Sequence, residues 1–470
     1  MKRFLRLILT ALLLLSSAAA LAEDWTCPVC GCACTSNFCP DCGTPRPVEG
    51  ETDIPEFVAI AANTKAGIDY EVLREVSWDD SMGHHYGLAL KNMTDKTVNF
   101  KVAFTFMEAD DHVIDLLRED SNACDPGCEV FVTVSRSFSF DHVSYSIACV
   151  EDEYYNDVHS FVTVTAEWNG NKAFFTGQNH GNVDAEFVRY DALFLDKDGQ
   201  MVGYDFGYLI DNAEVLRPGQ TIVEKTYADY DFESIELYYC GKTDKSVTST
   251  EEVDPAAFMN GSGTGYEVEH VCNFDYSSGI IVKNTSEAAC SFFCSVIFRD
   301  LDGRIVDTEE TETAVVDPGY EAVAYMSSPR EYDHMDYCIF ATPIQEYMET
   351  IQNRVEVTGE RAADGRSLKV TVLNTSDGVI HMRGCYFVLF DGDNKPVDVG
   401  FVFLHGENYD YDLRPGMSFT GEDTTYTPYE SYALYVDGYC MTEEDPWRFD
   451  VPEVTPTEAP ATEEPVTETL

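Results

Sequence analysis

Along much of the chain, apolar residues recur at every second position. Val98, Phe100, Val102, Phe104 and Phe106 alternate with Asn, Lys, Ala and Thr, and the same spacing runs through Cys290, Phe292, Cys294, Val296 and Phe298. A period of two puts each set on one face of an extended strand, so these segments predict half-buried β-structure. Two stretches have helical spacing instead. Ile344, Tyr347, Met348 and Ile351 predict a short helix within residues 343–354, and Pro55 to Ala62 predict another within the connecting segment 48–66.

The strands sit in a larger repeat. Four segments open on an Asn turn (Asn92-Met-Thr, Asn179-His-Gly, Asn284-Thr-Ser and Asn374-Thr-Ser) and continue through a strand to an acidic turn (Asp110-Asp111, Asp198-Gly199, Asp302-Gly303 and Asp393-Asn394). Each then carries Pro-Gly, at Pro126-Gly127, Pro218-Gly219, Pro318-Gly319 and Pro415-Gly416, and closes on a Tyr-containing strand, "YSIACV", "IELYYC", "YCIFAT" or "YALYVD". Four signals in one order, about 90 to 100 residues apart, mark an internal repeat of sandwich size. The two-residue acidic turns tolerate positive φ, as a hairpin demands, and Pro-Gly marks a tight turn. Asn92, Asn284 and Asn374 also satisfy the glycosylation sequon. Their shared repeat position points to side-chain capping of a turn.

With these motifs the copies resemble the FxLYD-type immunoglobulin-like domains of exported and surface proteins of Gram-positive bacteria. The resemblance spans residues 67 to 445, and the second copy departs from it by lacking Ser or Thr after its Asn. It implies a fold and an extracytoplasmic location; it implies no activity. The expected fold class is mainly β, with a short zinc ribbon before four tandem immunoglobulin-like antiparallel β-sandwiches over 67–155, 156–250, 266–342 and 355–445. A Gly/Ser-rich linker occupies 251–265.

The amino terminus changes the picture. Lys2, Arg3 and Arg6 precede an apolar run from Leu7 to Leu15, and Ala20-Leu21-Ala22 forms an A-x-A site before Glu23. This reads as a secretory signal peptide over 1–22, since the run is short of the about 20 residues that span a bilayer. An uncleaved anchor is the alternative, and it would leave the remainder on the same side of the membrane. Directly behind, within 23–47, Cys27-x-x-Cys30 and Cys39-x-x-Cys42 lie eight residues apart, with Gly31 and Gly43 after the second Cys of each pair. Two such knuckles bring four thiolates to one tetrahedral zinc ion, and so short a segment needs a staple because it cannot bury a core. The stretch is similar to the short zinc ribbons of bacterial proteins, which implies one structural zinc on Cys27, Cys30, Cys39 and Cys42. Three disulfides among six cysteines remain the other possibility. Cys32 and Cys34 depart from the ribbon pattern and leave open a thiol- or metal-handling role. Ten further cysteines lie in the repeats as free buried thiols or bridges.

Composition narrows the partners. With 84 acidic against 30 basic residues and a net charge of −54, the chain repels nucleic acid and anionic membranes and favours cationic partners. Residues 446–470, rich in Thr, Glu and Pro, read as an extended acidic tail without a sorting motif or hydrophobic end. No hydrolase, metalloprotease or phosphate-loop motif occurs. "DKDGQ" (Asp196–Gln200) falls on the hairpin turn common to all copies and lacks the register of a calcium loop. Tyr-rich acidic loops such as "ENYDYDLRPG" (Glu407–Gly416) are candidates for sugar or peptide binding. The expectation is a non-enzymatic exported array that binds an extracellular protein, peptide or glycan, without nucleic acid and without membrane insertion after signal removal. An enzyme assembled between repeats would require titratable groups converging in a cleft.

Overall fold

The computed structural model describes residues 69–441 except 81, 211–214, 345–347, 362–365, 407–408 and 426, together with the paired backbone of Trp25–Thr26 and Ala33–Cys34. The signal segment, Cys27, Cys30, Cys39, Cys42, the 55–62 stretch and the acidic tail lie outside the described residues.

The described chain is mainly β, in antiparallel sheets, with no α-helix among the described residues. One pairing scheme recurs. In the first repeat Gly83–Asn92 is the centre of a three-stranded sheet between Tyr70–Asp80 and Glu129–Arg136, and Val98–Met107 is the centre of another between Val113–Asp120 and His142–Glu151. The same roles fall to Lys172–Asn179 and Ala185–Leu195, to Ser277–Asn284 and Cys290–Arg299, and to Ser367–Asn374 and Ile380–Phe390. The second and fourth sets gain extra edge strands at Tyr155–Asp157 and Met348–Glu349. The architecture is therefore sandwich-like and repetitive.

Alternation explains the first core. Val98, Phe100, Val102, Phe104 and Phe106 are each at most 3% exposed and meet Leu88, Leu90, Val130, Val132 and Ile147 of neighbouring strands. The third repeat departs from strict alternation. Cys290–Arg299 buries Ser291, Ser295 and Ile297 as well as the expected five. The chain divides into two compact units. The first is Met1–Ser262 with Ser295–Thr308 and Tyr332–Cys338; the second is Gly263–Cys294, Glu309–Glu331 and Ile339–Leu470. Within the first unit Ile297 and Ile305 pack on Phe174 and Val223, and Asp307 pairs with both Lys172 and Lys225, at 3.0 and 2.9 Å. The repeats therefore do not stand as isolated beads, because both faces of some sheets are apolar.

Two connecting segments differ from expectation. The linker 251–265 contains a 3-10 turn, Pro255–Phe258, capped by the Asp254 carboxylate, and it is tied down where Asn260 N–H donates to the Tyr337 carbonyl at 2.7 Å. Within 343–354, Met348–Glu349 forms a strand on Ser431–Met441 in place of the expected helix, and Ile351 is wholly buried in the last core. An exposed sheet edge offering backbone partners outweighs the weak helical spacing.

The repeated Asn is the clasp of each copy. Asn92, Asn179, Asn284 and Asn374 are at most 1% exposed. Each Nδ2 donates at 2.8 Å to the carbonyl four residues on, of Lys96, Val183, Ala288 or Gly378. Each also donates to a carbonyl just before the Pro-Gly turn, of Cys124, Leu216, Val316 or Leu413, at 2.7–3.0 Å. Oδ1 accepts the N–H two residues on, from Thr94, Gly181, Ser286 or Ser376. The Asn carbonyl accepts from the turn glycine, Gly127, Gly219, Gly319 or Gly416. All four glycines have φ between +73° and +85°, a region glycine enters without steric cost. The acidic hairpin turns likewise place Asp111, Gly199, Gly303 and Asn394 at positive φ.

Replacing Asn374 with Ala should cost about 2–4 kcal/mol, because two buried carbonyls lose their donor. Asn374→Asp, isosteric but unable to donate, should cost as much, and Ser376→Ala about 1 kcal/mol or less. Urea unfolding of the full chain measures both; an Asn374→Asp midpoint equal to wild type would overturn the clasp.

Candidate binding groove

A groove of about 1190 Å³ lies within the second unit. Three segments build it. Pro396–Phe403 pairs with Ile380–Phe390 so that Tyr386 lies opposite Phe401 and Leu389 opposite Asp398. Tyr325 comes from Glu321–Ser327, where it faces Gly279 across the ladder. A Cβ at that glycine would lie 3.0 Å from a Val399 methyl, so a larger residue there would press on the side chain that floors the groove. Val399 instead joins Cys272, Ile281, Val323, Val388 and Phe390 in an apolar floor.

The walls combine rings and carboxylates. Tyr325 and Tyr386 are 5.9 Å apart, Tyr386 and Phe401 4.6 Å, and Phe401 and Phe403 4.8 Å, so four rings form a continuous line. Phe403 is 67% exposed at its outer end. Asp275, Asp398 and Asp423 are interspersed, and no Lys, Arg or His is among the lining residues. Burial holds the Asp398 carboxyl above the usual carboxylate range, and the Asp423 charge acts in the same direction; burial also raises Asp423. Their hydrogen bonds are to the N–H of the next residue, Val399 and Thr424, at 2.9 and 2.8 Å. Such acids, partly desolvated and without a cationic neighbour in the groove, hold an attraction for positive charge.

At the rim, Asp275-Tyr276 joins Tyr266–Phe274 to Ser277–Asn284. Tyr276 sits at φ +72° and is 62% exposed. A bulky residue in the left-handed region is strained by about 1–2 kcal/mol, and strain of this kind concentrates at ligand-binding sites.

Of the residues singled out in sequence, Cys27, Cys30, Cys39 and Cys42 lie outside the described residues. In the Tyr-rich loop 407–416, Glu407 and Asn408 are also outside, and Tyr409, 72% exposed, packs at a tilt against His405 and is not among the groove's lining residues. Asp196 accepts from the N–H groups of Asp198 and Gln200, as a turn residue does. The ten described cysteines are all free. Burial pushes Cys240, Cys272 and Cys385 up to about 12, which keeps them as thiols at neutral pH. A smaller cavity of about 210 Å³ in the first unit is lined in part by Arg189, Asp191 and Cys240. There Arg189 pairs with the nearly inaccessible Asp191 at 2.6 Å, and the Tyr204 hydroxyl donates to the same carboxylate at 2.5 Å. Nothing in the order of residues flags the groove, because its walls come from positions as far apart as Asn273 and Thr427.

No family model matches the chain, and no curated protein matches it. Among solved structures it is similar to Escherichia coli alpha-2-macroglobulin activated by porcine elastase, at 8% identity and a TM-score of 0.11. The alignment covers 79% of this chain and 44% of that one, so the chain spans less than half the length of that protein. A superposition so weak transfers neither fold nor activity.

Tyr276→Gly should relieve the turn and raise stability by up to about 1 kcal/mol, since glycine enters this region without a Cβ penalty but loses more chain entropy. A loss of stability in urea unfolding would show that the ring, not the backbone, determines this turn.

Proposed function

We propose that the protein is an exported, non-enzymatic array of four immunoglobulin-like sandwiches that binds a cationic peptide segment in the groove of its second unit. The observation that supports this is the line of rings Tyr325, Tyr386, Phe401 and Phe403 set beside Asp275, Asp398 and Asp423 with no basic side chain in the lining. A Lys or Arg over an aromatic face gains about 0.5–2 kcal/mol, and a nearby carboxylate adds charge complementarity. The net charge of −54 draws such a partner in from a distance. The repeated Asn clasp supports reading each copy as a separate sandwich.

The same reading gives the amino terminus a removable export signal over 1–22 and one structural zinc on Cys27, Cys30, Cys39 and Cys42. The antiparallel pairing of Trp25–Thr26 with Ala33–Cys34, which brackets Cys27 and Cys30 in sequence, supports a hairpin of ribbon type. Native mass spectrometry of the secreted chain should find zinc, and chelation should expose the thiols of Cys27, Cys30, Cys39 and Cys42, located by alkylation and peptide mass spectrometry. A metal-free chain with three disulfides would overturn the zinc assignment.

Binding of an Arg- and Lys-containing peptide should weaken about tenfold or more, some 1.4 kcal/mol, in Phe403→Ala and in the double variant Asp398→Asn/Asp423→Asn. Both carboxyls must be ionised to attract the cation. Affinity should therefore fall as pH drops through their raised values, beginning above the ordinary carboxylate value of 3.8. Calorimetry decides: unchanged affinity in both variants, or binding of a neutral chito-oligosaccharide in place of the peptide, overturns the proposal.

A further inference from the structure

A second cluster lies in the first unit, far in sequence from the amino-terminal cysteines. The edge strand Tyr155–Asp157 pairs with Ser234–Asp244 and runs past the turn that holds Pro126-Gly127. The Asp157 side chain is wholly buried and that of His159 is 13% exposed. Asp157 Oδ2 accepts from the Asp125 N–H at 2.8 Å, while Oδ1 accepts from the His159 N–H at 3.1 Å and pairs with His159 Nδ1 at 2.6 Å. Tyr239 stacks on the His159 ring at 4.2 Å and an interplanar angle of 26°, which fixes its plane. The Cys128 sulfur completes the group, and one donor atom from each of Cys128, Asp157 and His159 lies within 4.8 Å of the others.

We propose that Cys128, Asp157 and His159 form a binding site for one borderline-soft divalent cation of the zinc class. Thiolate, imidazole and carboxylate are the donors such an ion takes, and three protein ligands leave the fourth tetrahedral position to water. Around one zinc ion, donor atoms stand about 3–4 Å apart given bond lengths of about 2.0–2.3 Å, so modest side-chain rotation closes the set. Binding replaces the Cys128 S–H bond with an S–metal bond and releases the proton to solvent.

Electrostatics favours a dication here. The carboxylates of Asp157, Asp125 and Glu129 act on the Cys128 sulfur, against one opposing cation, Lys91. Lys91 is already engaged with Glu129 at 3.1 Å. A metal ion supplies the missing positive charge and permits the thiolate.

The second unit supplies an internal comparison. There the segment after Met348–Glu349 meets the turn at Pro318-Gly319 with neutral groups. Thr350 Oγ1 donates to Asp317 at 2.9 Å, Gln352 Nε2 to the Val315 carbonyl at 2.8 Å, and the Tyr320 hydroxyl to Asn353 at 2.5 Å. Tyr320 follows Pro-Gly as Cys128 does. This type of junction is therefore built without a thiol, a carboxylate and an imidazole together, and their meeting in the first unit calls for another explanation.

The test is alkylation of the full chain, with Cys128 followed by peptide mass spectrometry, so that metal held by the amino-terminal cysteines does not interfere. Zinc should slow labelling of Cys128 about tenfold relative to chelator, because a metal-bound thiolate is removed from reaction. Cys149, half-buried in the same repeat and outside the cluster, should be unaffected. His159→Gln and Asp157→Asn should abolish the protection while leaving Cys149 labelling, and hence the fold, as in wild type. Equal Cys128 rates with zinc and with chelator in the wild-type chain overturn the proposal whatever the variants do. So does protection that survives His159→Gln.

Discussion

The structure depends on an amide group taken wholly out of water. Asn92, Asn179, Asn284 and Asn374 each give both Nδ2 protons to backbone carbonyls, one four residues on and one beside Pro-Gly, while Oδ1 accepts the N–H two residues on and, in three copies, the hydroxyl of Thr94, Ser286 or Ser376. No shorter or acidic side chain offers two donors and an acceptor at that reach. The clasp joins the end of a strand in one sheet to the connection leading out of the other, so the relation between sheets is held at a point where no ladder can form. Hydrophobic alternation then fills the space between them, but alternation alone does not fix register.

Much of this was legible in the residues. A period of two in Val98–Phe106 survives intact as a buried face, because one side of that strand looks into a core and the other towards partly solvated neighbours. The repeated Asn and Pro-Gly were visible as coincidences of spacing, and their chemistry accounts for why they travel together. Ile297 was not legible as a contact residue, since a second apolar face reads as the same strand. Met348 was misread because an i, i+3, i+4 pattern over so few residues is weak against an unpaired sheet edge. The groove and the Cys128 cluster were invisible for a different reason. Tyr325, Tyr386 and Asp398, or Cys128 and His159, are brought together only by packing of one repeat on the next.

Charge and burial are partitioned in an unusual way. The chain is strongly acidic, yet its ten described cysteines are unbridged and mostly sealed inside. A buried thiol behaves as a small apolar group and resists oxidation while its proton is retained. Thiol chemistry would then concentrate at the half-buried positions, Cys128 and Cys149, of which the first faces Asp157 and His159 and the second hydrogen-bonds to the Asp69 carbonyl.

The buried asparagines also bear on how such a chain can be manufactured. In a eukaryotic secretory host, the sequons at Asn92, Asn284 and Asn374 would meet the oligosaccharide-transferring machinery before folding is complete. A sugar on Nδ2 removes one of the two protons the native contacts use and adds bulk to a site with no room for solvent. Modified molecules would be excluded from the native state at three of four copies, whereas a host without that machinery would deliver the chain intact.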